Sequence, residues 1–257
     1  MPQCSVTFVR FWCISTLTLL MLVAGCSTYR APDSSSGAVF DNSIAVLGVV
    51  SADASLTPFK RNDYVDKLEA QIRAHQTRHT IYPNRDLKRY LARRDGEVDN
   101  LSLLLGQYRL SGELTPDTLA ILKRQQLPVR YVVLARIESN ETRKFRETNN
   151  HLRNSRGELL TDRREVALIH QRSVQVSARV YDVFSGRQVW SEYYTSKPEA
   201  KNVYVEYTGS SFVGSVATSL ANSFVKGRAA SRFPAPPREA DAVAATFRRI
   251  GQRLFKR

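Results

Sequence analysis

Val174-Gln175-Val176-Ser177-Ala178-Arg179-Val180-Tyr181-Asp182-Val183-Phe184-Ser185-Gly186-Arg187-Gln188-Val189-Trp190-Ser191 is the stretch that decides the fold. Successive side chains of a strand point to opposite faces of its sheet. Val174, Val176, Ala178 and Val180 therefore face one way, and Gln175, Ser177 and Arg179 the other. One apolar and one polar face predict a half-buried strand over residues 174–184. Ser185-Gly186 reads as a two-residue turn, and residues 187–195 return as the partner strand, with Val189 and Trp190 among its bulky side chains. Asp182, at the strand end, reads as a turn-stabilising residue rather than a catalytic acid.

Working outward, residues 131–137 and 44–50 are short continuous apolar runs, the pattern of buried strands. Between them the period changes to helical. Tyr64, Val65, Leu68 and Ile72 mark a helix over residues 59–78, and Thr80-Ile81-Tyr82 a short strand that Pro83 confines to an edge or a strand end. Asp86 is the expected cap of a helix that buries Leu87, Tyr90 and Leu91. Val98, Leu101, Leu104 and Leu105 suit another helix. Thr115-Pro116-Asp117 caps the next, with Leu119, Ile121 and Leu122 behind it and Pro128 ending it. Residues 141–165 carry seven basic and five acidic residues and almost nothing apolar, so a solvated loop or hairpin tip is expected there. The Gly/Ser-rich segment 203–231 supports no assignment, and Phe233-Pro234-Ala235-Pro236-Pro237 breaks the chain. Ala240, Val243, Ala244, Phe247, Ile250 and Leu254 then set a final basic helix over residues 239–256.

The amino terminus reads as an address. Residues 1–12 carry one charge, Arg10, and residues 11–24 are apolar except for Cys13, Ser15, Thr16 and Thr18. That run is short for a bilayer span, which needs roughly 20 residues, and has the shape of a signal peptide. It ends Val23-Ala24-Gly25-Cys26, which resembles a bacterial lipobox. The resemblance implies cleavage between Gly25 and Cys26, a leader over residues 1–25, and diacylglycerol plus an N-acyl chain on Cys26. The alternative is an uncleaved anchor helix. Each buried acyl CH₂ is worth about 0.8 kcal/mol, so a multiply acylated Cys26 would hold the chain to membrane. Cleavage removes Cys4 and Cys13 and leaves no free thiol for catalysis or metal binding. Ser27, where Asp would signal retention at the inner membrane, points to the outer membrane. Residues 26–42 are then lipidated Cys and flexible tether.

The chain has 257 residues, 38 Lys+Arg against 24 Asp+Glu, a net charge of +14 and a mean hydropathy of −0.33. These values exclude a polytopic membrane protein and a disordered chain, and three cysteines exclude a disulfide scaffold. The charge calls for an anionic partner, and the export signal argues against nucleic acid. Residues 226–257 carry +7, and residues 59–94 carry +6. Arg248, Arg249, Arg253, Lys256 and Arg257 are the candidate contacts for lipid head groups or an acidic glycan, because Arg binds phosphate and carboxylate with two parallel hydrogen bonds. Set against this is the reading of a merely solvated face. His75 and His79 have a metal-capable spacing without a third ligand, and no hydrolase, nucleotide-loop or zinc-protease motif occurs. No catalytic residue, metal or further cofactor is expected. Trp190, Tyr193, Tyr194, Tyr204 and Tyr207 read as sheet packing, with a contact surface as the alternative.

Three stretches, residues 44–50, 131–137 and 174–191, are similar to a group of bacterial periplasmic lipoprotein domains. The group includes the curli-secretion lipoprotein CsgG, the penicillin-binding-protein activator LpoB and the polysaccharide-secretion lipoprotein PelC. The resemblance covers residues 43–196 and implies an α/β domain over residues 43–257, with a single mixed sheet of about 4–5 strands packed with helices. It does not choose among the group's functions. The leading expectation is a non-enzymatic accessory or structural role in envelope biogenesis, through a protein or anionic polymer partner. The second is a subunit of an outer-membrane secretion assembly, which would be a homo-oligomer. A lipid-facing pore is disfavoured, because residues 141–165 are too charged and residues 203–225 too irregular for membrane strands.

Overall fold

The computed structural model describes residues 43–53, 56–75, 80–93, 97–211, 213–218 and 232–254. The expected leader, with Gly25 and Cys26 at its end, and the tether lie outside them, as do Lys256 and Arg257. The elements are β1 (Ile44–Ser51), α1 (Pro58–His75), β2 (Ile81–Tyr82), α2 (Asn84–Ala92), α3 (Glu97–Ser111), α4 (Pro116–Arg124), β3 (Tyr131–Asn149), β4 (Arg163–Asp182), β5 (Arg187–Ser196), β6 (Glu199–Tyr207) and α5 (Glu239–Leu254). They form one open mixed sheet of six strands, ordered β2-β1-β3-β4-β5, with β6 also paired to β4. β1 runs parallel to β2 and β3, and the other pairs are antiparallel. The α/β class and the single mixed sheet are as expected.

Helices cover both faces of the sheet, and this explains the sequence patterns. All eight residues of β1 are buried, so the strand reads as a continuous apolar run. Val174, Val176, Ala178 and Val180 are fully buried on the face covered by α1 and α5, as the alternation predicts. There the Phe247 ring meets Tyr64 edge-on at 6.2 Å. The opposite face packs Ala45, Leu47, Val132 and Leu134 against Leu87, Leu91, Leu104, Tyr108 and Leu122 of α2, α3 and α4. Burial pushes the Tyr181 phenol up to about 12, so it stays neutral, and its oxygen accepts the N–H of Leu114 at 3.3 Å.

The turn of the diagnostic hairpin is longer than its sequence implies. β4 ends at Asp182, and residues 183–186 make the turn. The Asp182 carboxylate accepts the N–H groups of Phe184 at 2.9 Å and Ser185 at 3.4 Å, which ends the ladder early. Gly186 takes φ +66° and donates its N–H to the Asp182 carbonyl.

Thr115 caps α4 as expected, but Asp86 does not cap α2. Pro83 occupies that position, and Asp86 pairs with Arg89 one turn on. The cap comes from another helix: Glu69 Oε1 of α1 accepts the Asn84 N–H at 2.8 Å. Burial raises the Glu69 carboxyl above its usual range.

The loop expected over residues 141–165 is a correction. β3 continues through Asn149 and β4 starts at Arg163, so only residues 150–162 connect them. The register runs unbroken from Ser139↔Gln175 to Asn149↔Glu165. Residues 203–207, within the segment left unassigned, belong to β6, which pairs with β4 from Arg163↔Tyr207 to Gln171↔Glu199. These three strands run past both cores as an antiparallel ribbon. Its nine-residue strand β6 makes it roughly 30 Å long.

Candidate functional site

α5 buries Ala242, Val243, Thr246, Phe247, Ile250, Gly251 and Leu254. Arg248, Arg249 and Arg253 fall on its exposed face, where sequence placed them, and Arg249 Nη1 donates to the Thr195 carbonyl at 3.0 Å. α5 lies parallel to α1. At one end Glu239 meets Lys60 Nζ and the Tyr64 hydroxyl, each at 2.7 Å; near the other, Gly251 faces the Gln71 carbonyl. Burial works against ionisation of Glu239, but these two donors outweigh it and hold the carboxyl below its usual range. The carboxyl ends of both helices are thus neighbours, with Arg73, His75 and Arg253 in their last turns. Cations there are favoured by the helix dipoles.

A strap of residues 232–238 joins α5 to the ribbon. Asn202 donates to the Arg232 carbonyl at 2.8 Å, His170 to that of Pro234 at 2.9 Å, and Arg172 to that of Pro237 at 2.7 Å. Lys144 stands 5.7 Å over the Phe233 ring. The prolines lack N–H groups and offer only carbonyls, which ribbon side chains can reach. Across the ribbon, Glu206 accepts Arg164 and Arg146 at 2.7 Å each, and the hydrogen bond from Arg164 above all keeps its carboxyl ionised. Of the aromatic group, Trp190 and Tyr194 pack on the core, while Tyr193 is exposed with its hydroxyl on Gln175.

The basic run 59–94 divides once folded. Lys60 pairs with Glu239, Lys67 with Asp63, and Arg85 and Arg89 with Asp86. Arg61 instead turns into a cleft of about 240 Å³ at the carboxyl end of β1, lined also by Ser51, Leu56, Leu105, Gly106 and Arg109. Sequence reasoning missed this cleft, because Arg61 and Arg109 lie on different helices with β2 and α2 between them. Among the described residues no group of three His, Cys, Asp or Glu could hold a metal ion, and no helix is long and apolar enough to cross a membrane. His79 lies outside the described residues, and His75 Nδ1 meets the Gln71 carbonyl at 2.9 Å.

No protein-family model and no curated protein matches the chain. Solved structures similar to it include the hypothetical protein CT253 from Chlamydia trachomatis, at 14% identity over 84% of this chain and 98% of that one, with a TM-score of 0.35. The lipoprotein GNA1162 from Neisseria meningitidis is similar at 10% identity over 72% and 98%, with a TM-score of 0.31. The PelC dodecamer from Paraburkholderia phytofirmans is similar at 15% identity over 84% and 89%, with a TM-score of 0.31.

Proposed function

We propose that the chain is a lipid-anchored, periplasm-facing protein of the outer membrane. It serves envelope biogenesis as an accessory or structural component, without catalysis of its own, by binding an envelope protein or an anionic polymer. The observation that carries this reading is the apolar run 11–24 closing on Val23-Ala24-Gly25-Cys26. Acylation at Cys26 leaves residues 27–42 as a tether and the α/β domain free to meet a partner. Two surfaces support the binding role: the exposed arginines of α5, and the ribbon that reaches past both cores.

Replacement of Cys26 by Ser and fractionation of the envelope test the anchor. The parent chain is expected with the outer membrane and the variant in the soluble periplasm; a variant that stays with the membrane overturns the reading. Affinity capture of the parent chain from detergent-solubilised envelope, followed by native mass measurement, tests the role. A monomer, alone or with a captured partner, supports the accessory reading. A ring of many copies replaces it with the secretion-subunit reading.

A further inference from the structure

The cleft at the carboxyl end of β1 has no part in that reading. β1 passes the chain to α1 on one face of the sheet, while α2, α3 and α4 cover the other. The connections therefore part at the end of β1, and open α/β sheets form ligand crevices where they do so. The fold holds both walls in place. Gly48 lets α3 approach the strand, since a Cβ there would lie 2.6 Å from Leu105 Cδ2. Arg136 of β3 donates to the carbonyls of Arg109 at 2.8 Å and Leu110 at 3.3 Å, which pins the carboxyl end of α3 beside the sheet. At the opposite wall Arg61 stands in the first turn of α1.

Several arginines in or beside the sheet pair with carboxylates. Arg130 pairs with Asp182, Arg136 with Glu138, Arg146 and Arg164 with Glu206, and Arg179 with Glu113. Among the described residues neither Arg61 nor Arg109 meets a carboxylate, and Arg61 Nε is buried without a hydrogen-bond partner. The nearest acids in sequence are already paired, Asp63 with Lys67 and Glu113 with Arg179, at 2.6 Å each. Asp53, which follows β1, is exposed and accepts the Ser51 hydroxyl at 3.0 Å. A buried, unsatisfied guanidinium donor is costly, and an anion that enters the cleft removes that cost.

We propose that this cleft binds a small phosphate monoester. Two guanidinium groups from opposite walls match the two charges of the dianion and present planar forks to its oxygens. Leu56 and Leu105 offer an apolar wall to a short substituent. The cleft of about 240 Å³ has room for a phosphate with a few carbons.

The test is calorimetric titration of the full lipoprotein in uncharged detergent with inorganic phosphate and glycerol 3-phosphate, with sodium acetate and chloride as controls. The expected result is saturable one-to-one binding of glycerol 3-phosphate, weakened at least about tenfold by Arg61→Gln and by Arg109→Gln. Absence of saturation by about 10 mM phosphate ester overturns the proposal. So does undiminished binding by an Arg61→Gln/Arg109→Gln chain of unchanged melting temperature. Vesicles of phosphatidylglycerol form the other arm. If they bind through Arg61 and Arg109 while glycerol 3-phosphate does not, the ligand is a lipid surface and the small-ligand assignment falls.

Discussion

Two glycines in helices make opposite predictions for the same substitution. At Gly251 of α5 an added Cβ would lie 2.6 Å from the Gln71 carbonyl oxygen and 3.0 Å from its carbon. Both belong to the α1 backbone, which cannot rotate aside. Relief to an ordinary contact near 3.5 Å moves α5 away from α1 by roughly 0.9 Å. That shift also loosens the Phe247–Tyr64 contact and the Glu239 hydrogen bonds. Overpacking of this kind costs about 1–3 kcal/mol, and the helix propensity of Ala returns at most about 1 kcal/mol. With the middle of the first range and the full propensity gain, Gly251→Ala should destabilise by about 1 kcal/mol. At Gly106 of α3 the same Cβ meets nothing within 4 Å. Only the propensity gain remains, so Gly106→Ala should stabilise by about 0.5–1 kcal/mol. Urea unfolding followed by circular dichroism reads both, and the melting temperatures should split by several degrees at ~2–4 °C per kcal/mol. A Gly251→Ala chain as stable as its parent would refute the close packing of α5 on α1.

Acid stability should respond to Glu239. Its folded-state pKa lies below the unfolded value near 4.3, so its contribution is present above that pH and is lost as pH falls through the folded value. In urea titrations between about pH 3 and 6, Glu239→Gln should flatten the acid loss; an unchanged slope would remove Glu239 as its source. Glu69 has the opposite sign, because burial raises its pKa, so its ionisation works against stability. Glu69→Gln keeps an acceptor for Asn84 and should be neutral or stabilising at pH 7, whereas Glu69→Ala leaves that N–H unpaired and should cost about 1–3 kcal/mol. Reversal of Arg248, Arg249 and Arg253 to Glu should weaken sedimentation with phosphatidylglycerol vesicles at low salt, each cation counting for about 1 kcal/mol near an anionic surface. Equal sedimentation of parent and variant would make that face a solvated one.

What the sequence revealed depended on how local the cause was. Val174, Val176, Ala178 and Val180 disclosed their strand because one face is core and the other is not. Residues 141–149 form strand just as regularly, yet five of these nine side chains are charged and leave no apolar period to read. β6 stayed hidden because Val203, Tyr204 and Val205 put bulky side chains on both faces, and its partner lies 28–44 residues back along β4. The cap of α2 was misassigned to Asp86 because the true acceptor, Glu69, comes from another helix. The α5 arginines were legible as an exposed stripe. The cleft was not, since Arg61 and Arg109 stand on helices that cover opposite faces of the sheet and come to line one space only at the end of β1.

The proposed function rests on lipid at Cys26, and intact mass spectrometry of the protein purified from its native envelope reads that lipid. The expected chain begins at Cys26 and carries the added mass of a diacylglycerol and one further acyl chain. A chain that retains residues 1–25, or that begins at Cys26 without lipid, would contradict it.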